Sequence, residues 1–256
     1  MKQAKAITVK SSIQCDDDYS REFPSERYEE LLKEYELMHE SSDQMFNGRS
    51  VASFVDVIKH VLRENKCKTL LDYGSGKGLL YTKDHDKVKI DNPISKPLPE
   101  LWDIDEYTLY DPGYEEHNKL PTGKFDSAVC TDVLEHVPEE DLGWVVDELM
   151  DYSKKVLFLN ISCLPALKKF RDGTNVHVSI FKPEEWANFL AGRLRQHRNV
   201  DLNIILYADH KTDGNHMRRA YKITYFPTIF QLTESYKVRY CRFSYWSSCL
   251  SILQVC

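Results

Sequence analysis

Two groups of residues in this sequence have the types and spacing to do chemistry. The first is the stretch K-T-L-L-D-Y-G-S-G-K-G from Lys68 to Gly78, where Asp72 closes an apolar run and Gly74, Gly76 and Gly78 alternate around Ser75. Glycine tolerates positive φ and lets backbone groups come close to a ligand, so a buried strand feeding a tight, ligand-facing turn is predicted. The second is D-V-L-E-H, in which Asp132, Glu135 and His136 gather at the end of a later strand, with His177 arriving from a loop downstream. Carboxylates and imidazoles at one strand end can hold a divalent ion or move a proton. An unperturbed histidine pKa of about 6.5 suits the second task.

The elements that position these residues follow from the hydrophobic period. Tyr28, Leu31, Leu32, Tyr35 and Met38 recur at helical spacing after Pro24. A break at Phe46-Asn47-Gly48-Arg49, a candidate rim for the site, precedes a second helix capped by Ser50 and carrying Val51, Phe54, Val55, Ile58, Val61 and Leu62. Strands are predicted at the Lys68 stretch, Tyr107–Tyr110, Phe125–Thr131, Val156–Leu159, Asp201–Ala208 and Ala220–Phe226, the last two forming an antiparallel hairpin. Pro138 and Pro183 open further helices, since the missing N–H of proline is harmless in a first turn. Residues 84–106, with Pro93, Pro97 and Pro99, read as an inserted loop or lid with a short strand at Val88–Ile90. Residues 1–23 read as a poorly ordered lead-in, 24–226 as a single domain, and 227–256 as a tail without period. The alternation of helix and strand predicts an α/β fold, a three-layer αβα sandwich on a mostly parallel, Rossmann-like sheet that binds ligands at its strand C-termini.

Composition narrows the function classes. At 256 residues, 42% apolar and 29% charged, the chain has the make-up of a globular protein, and no segment has the length and apolarity expected of a membrane span. The first ten residues lack the apolar centre of a secretory signal, so a cytoplasmic location is expected. Seven cysteines without C-x-x-C spacing fit buried reduced thiols better than a disulfide framework or structural zinc. A net charge of −6 disfavours a large nucleic-acid footprint, although a local basic groove is compatible with it.

The glycine spacing argues against a pyrophosphate. In a dinucleotide fingerprint two residues separate the second and third glycines, and a Walker loop needs Ser or Thr after its lysine, whereas here Lys77 precedes Gly78. A nicotinamide-dependent oxidoreductase is therefore disfavoured. The D-x-G-x-G-x-G pattern instead resembles the cofactor loop of class I S-adenosylmethionine-dependent methyltransferases. The likeness runs over roughly residues 69–189 and includes the acid Asp111 after the second strand, the L-P-x-G-x-F-D segment from Leu120 to Asp126, and C-T-D-V-L-E-H-V from Cys130 to Val137.

What the resemblance implies is specific. Backbone at Gly74, Ser75, Gly76 and Gly78 would contact the amino-acid part of S-adenosyl-L-methionine, and Asp72 would orient the turn or meet the ammonium. Asp111 would accept both ribose hydroxyls, because a carboxylate accepts paired hydrogen bonds, with Pro112 and Thr131 adjoining the cofactor. Asp91, after Val88-Lys89-Ile90, is the alternative ribose acid: it has the more usual spacing from the glycines, but Y-T-L-Y-D-P is the better strand. Choosing Asp111 leaves little chain for a helix before Phe125.

The reaction so implied is in-line methyl transfer to an oxygen or nitrogen, in which alignment alone can supply about 7 kcal/mol or more. Asp132, Glu135, His136 and His177 are the catalytic candidates. Their pattern is similar to the metal set of small-RNA 3′-end 2′-O-methyltransferases, with Asp132 replacing a glutamate and His177 preceding Glu185-Trp186. The sequence leaves open whether a metal is bound. A small molecule or saccharide ranks above RNA as acceptor, and a non-catalytic S-adenosylmethionine-binding protein is the remaining reading. Oligomeric state is not legible.

Overall fold

The structure, a computed structural model, describes residues 12–42, 45–91, 93–199 and 201–226, together with the backbone of 235–243. Seven strands form one mixed sheet: β1 (Thr69–Tyr73), β2 (Glu106–Tyr110), β3 (Phe125–Thr131), β4 (Ser153–Ser162), β5 (Asn203–Thr212), β6 (Asn215–Phe226) and β7 (Ser235–Phe243). Their spatial order is β2-β1-β3-β4-β5-β6-β7. The first five in that order run parallel, and β6 and β7 are antiparallel additions at one edge. The hairpin joining β5 to β6 turns on Asp213 and Gly214, both at positive φ (50° and 80°), which matches the twist of the flanking strands.

The strand interiors are apolar at successive positions, and their side chains divide between two core clusters. Leu71, Ala128, Cys130, Leu157, Leu159 and Leu206 pack with helices α5 (Leu142–Tyr152) and α6 (Pro183–His197). Leu70, Val129, Val156 and Phe158 pack with α3 (Val55–Glu64) and α4 (Leu98–Trp102). Helix α1 (Glu26–Ser41), capped by the Ser25 hydroxyl accepting from Tyr28 N, lies over the C-terminal ends of the central strands and buries Leu31 against Phe170 and Val176. No helix of the described residues is long and apolar enough to cross a membrane.

Four expectations need correction. The described part of the lead-in, 12–23, is ordered: Ile13 joins the core, and Arg21 bonds bidentately to Glu148 and donates to the hydroxyls of Tyr73 (2.8 Å) and Tyr110 (2.9 Å). A polar strap holds through ion pairs rather than apolar period, which is why its sequence looked unstructured. The second helix is broken into a single turn, α2 (Arg49–Ala52), and α3, with Gly48 rather than Ser50 at its N-cap. The 84–106 insertion forms no strand at Val88–Ile90, and it is not an open lid either. It carries a turn at His85–Lys87 and α4, with Val88, Leu98 and Trp102 buried and Trp102 Nε1 donating to Val55 O at 3.0 Å. The tail, finally, contributes β7; the rest of 227–256 lies outside the described residues. Between β2 and β3 only a short turn at Glu115–His117 intervenes, in line with the short link that Asp111 demanded.

Candidate functional site

The chain turns sharply at the end of β1. Gly74, Gly76 and Gly78 all have positive φ (81°, 55° and 56°). A side chain at any of them would meet protein: Val133 Cγ2 at 2.3 Å from a Cβ on Gly74, Phe46 O at 2.1 Å from one on Gly76, and Leu109 Cδ1 at 2.4 Å from one on Gly78. The glycines thus admit three neighbouring segments as well as curving the turn. The N–H groups are also committed internally. Gly74 and Ser75 donate to Tyr110 O (2.7 and 3.1 Å), Gly76 to Asp111 Oδ2 (2.8 Å), Lys77 to Phe46 O (2.7 Å) and Gly78 to Ser75 O (3.1 Å). A phosphate would need those donors, and here they are already spent on the protein's own acceptors.

Above the turn lies a cavity of about 530 Å³, within the range of small-molecule sites. Gly74, Ser75, Gly76, Asp111, Pro112 and Thr131 line it, and so do Asp132 and His136. Members of both chemical groups singled out in the sequence therefore open on one space, although His177 and Glu135 are not among the residues that line it. The break at Phe46, Asn47, Gly48 and Arg49 forms part of the wall, as does Tyr35 from α1. Phe46 sits at φ 53°, a costly conformation for an aromatic residue, and its ring packs on His39 with centroids 4.6 Å apart.

The other predicted residues are placed elsewhere. Asp72 is buried in β1 beside Tyr81 and does not line the cavity, so it supports the turn and does not meet a ligand ammonium. Burial pushes its carboxyl up to about 7, against the pull of the Tyr81 hydroxyl. Gly78 is likewise covered, by Leu109. Asp91 is exposed and does not line the cavity, whereas Asp111 does. Asp111 accepts from Gly76 N and, through Oδ1, from Gly113 N (3.0 Å), with His39 Nε2 3.8 Å from the same oxygen. A carboxylate has about four acceptor sites, so each oxygen keeps one for a ligand hydroxyl. Burial raises the Asp111 carboxyl, with His39 opposing the shift.

Asp132, His136 and His177 each offer a ligand atom within 4.8 Å of the others. Asp132 stands at φ 61° just past β3, a left-handed conformation that aspartate tolerates better than most residues. His136 follows on a short turn, Leu134–His136, and His177 comes from the loop between β4 and α6, their rings 4.7 Å apart edge to face. His136 Nδ1 lies 2.9 Å from Val176 O, and His177 Nδ1 lies 2.6 Å from Leu164 O. A carbonyl can only accept, so both Nδ1 atoms carry a proton and Nε2 is the atom each ring has left for a ligand. Burial pushes the His136 imidazole down to about 4, holding it neutral. Two imidazoles oriented by carbonyls beside a carboxylate fit a divalent ion such as zinc, manganese or iron.

Glu135 does not join this set. It is fully buried, accepts from Ser162 N at 2.6 Å through Oε1, and its carbonyl accepts from Val178 N and Ser179 N. Burial, with the neighbouring Asp132, raises its carboxyl well above the usual range, and its bonds brace its own turn against the end of β4 and the loop at Val178. Sequence reading missed Tyr35, His39 and Lys168, which also line the cavity. The first two fall within α1, where Tyr35 reads as part of an ordinary apolar stripe.

No protein-family model matches this sequence, and no curated protein matches it.

Proposed function

We propose that the chain is an S-adenosylmethionine-dependent methyltransferase of three-layer αβα architecture, acting on an oxygen or nitrogen of a small acceptor. The observation that carries this reading is the shared cavity. It joins a glycine turn without spare N–H donors and an acid with free acceptor sites, Asp111, to Asp132 and His136 on the adjoining strand end. Committed donors argue against a pyrophosphate cofactor. Acceptor groups at the turn and at Asp111 match a ligand with an ammonium and vicinal hydroxyls.

Bound S-adenosylmethionine would supply a sulfonium-activated methyl group. The protein's part is to align an acceptor and free its lone pair. His136, which lines the cavity, would take a proton from an acceptor hydroxyl or amine at Nε2, with His177 packed beside it. Asp132 stabilises the imidazolium that results. The same three groups would hold a divalent ion if one binds, and that ion would lower the acceptor's pKa. Their arrangement within 4.8 Å specifically favours this metal-assisted variant as a second reading.

Calorimetry with S-adenosylhomocysteine, and separately with NAD, tests the cofactor. Binding of NAD with no response to S-adenosylhomocysteine would overturn the reading. Incubation with labelled S-adenosylmethionine and a metabolite extract then separates an enzyme from a binding protein, since the latter yields no labelled product.

A further inference from the structure

Three cations from three separate elements converge on the cavity: Arg49 at the start of α2, Lys89 from the insertion, and Lys168 from the loop between β4 and α6. None of them forms an ion pair among the described residues. Several basic groups of other segments are paired, Arg21 with Glu148, Lys155 with Asp126, Arg193 with Asp147 and Arg218 with Asp209, while many surface lysines and arginines among the described residues are not, so what distinguishes these three is that they share one cavity. The cavity's own acids do not neutralise the three. Asp111 is engaged by two backbone N–H groups, and Asp132 lies with the histidines.

The segments that carry Lys168 and Arg49 are anchored at the rim. Lys168 Nζ sits 5.2 Å from the centre of the strained Phe46 ring, and its loop is anchored by Phe170, buried against Leu31 and Tyr35. Asn175 closes that loop by bonding both Ala166 N (3.0 Å) and Ala166 O (2.9 Å). Arg49 N donates to Asn47 Oδ1 at 3.2 Å, which fixes the start of α2 at the rim. In a chain of net charge −6, three unpaired, exposed cations around one concave space make a local positive field that attracts anions.

We propose that the methyl acceptor is a small molecule bearing a phosphate or carboxylate, and that Arg49, Lys89 and Lys168 bind that anionic group. The inference rests on the methyltransferase reading for the word acceptor, but the anion site itself does not. It also separates charged acceptors from neutral saccharides, which would leave all three cations unneutralised.

Titration calorimetry of the full chain with inorganic phosphate, with acetate, and separately with S-adenosylhomocysteine tests it. Saturable binding of either anion is expected, weakening as sodium chloride is raised because the contact is ionic. Lys168→Ala should weaken it about fivefold. Arg49→Gln should weaken it about tenfold, the cost of a lost charged hydrogen bond. Tighter phosphate than acetate identifies a phosphoryl acceptor, and the reverse a carboxylate. Should Arg49→Gln fail to fold, as judged by circular dichroism, Lys168→Glu at its exposed position should abolish anion binding by itself. No saturable binding of either anion by the unmodified chain, or undiminished binding in the Lys168 variants, would overturn the proposal. Anion binding that the variants weaken, without S-adenosylhomocysteine binding, keeps the anion site and removes only the cofactor reading.

Discussion

The Tyr35 hydroxyl lies 2.7 Å from Nδ1 of His136, and the two groups converge on the carbonyl of Val176 at 3.1 and 2.9 Å. A residue of α1 thus helps decide which nitrogen of a strand-end histidine faces the cavity. Tyr35→Phe keeps the edge-to-face ring contact with Phe170 and removes only the hydroxyl. We expect a stability loss of about 1 kcal/mol, read by urea denaturation, and a fall in kcat larger than any change in KM. Unchanged kcat would limit this bond to a structural role.

Gly76→Ala brings a Cβ to 2.1 Å from the Phe46 carbonyl at a backbone φ of 55°. The left-handed conformation alone costs about 1 kcal/mol, and the clash is with backbone, which cannot rotate away. The segment carrying Phe46 should be displaced. The expected outcome is a destabilisation of at least about 2 kcal/mol together with loss of S-adenosylhomocysteine binding. Preserved affinity would show that the wall made by Phe46 is dispensable.

The Asp132, His136 and His177 set makes a prediction independent of turnover. Titrating the full chain with manganese(II) or zinc(II) should reveal one saturable site. His177→Ala should weaken it at least about tenfold, a typical cost of disturbing a metal site. A silent titration would leave the histidines as bases only. In that case, addition of a chelator should not change the rate of methyl transfer.

Asp72 gives the stability a pH dependence of definite sign. Its folded carboxyl is raised to about 7, whereas the unfolded chain ionises near 3.8. Between these values the native state holds a proton that the unfolded state has released. The stability linked to this group is therefore full below pH 3.8 and is lost as pH rises through 7. The slope is on the order of 1 kcal/mol per pH unit. Asp72→Asn should flatten the profile across that window, and denaturation midpoints at several pH values would show it. An equally steep profile in the variant would assign the slope to another group.

Arg21 ties the strap before α1 to α5 through Glu148, with side chains 22% and 17% exposed. Arg21→Met leaves a poorly solvated carboxylate unpaired beside the hydroxyls of Tyr73 and Tyr110. A loss of about 2–3 kcal/mol in denaturant titrations is expected. Because Tyr73 also lines the cavity, weaker S-adenosylhomocysteine binding should accompany it.

The sequence by itself determined the α/β alternation, most strand positions, the antiparallel hairpin and the turn at Gly74–Gly78. These are local matters: apolar period, proline at helix starts, and glycine where φ must be positive. It also singled out Asp132, His136 and His177, because their types are distinctive at strand ends. Only the tertiary structure decided which of the marked residues share a space. Asp72 and Glu135 look as available as Asp111 and Asp132 in one dimension, yet the fold buries the first pair as supports and turns the second pair into the cavity. The ordered strap at 12–23, the packed insertion around Trp102 and the cationic wall of Arg49, Lys89 and Lys168 were not legible. Each depends on partners distant in the chain, and a pairing such as Arg21 with Glu148 or Trp102 with Val55 leaves no period in either segment.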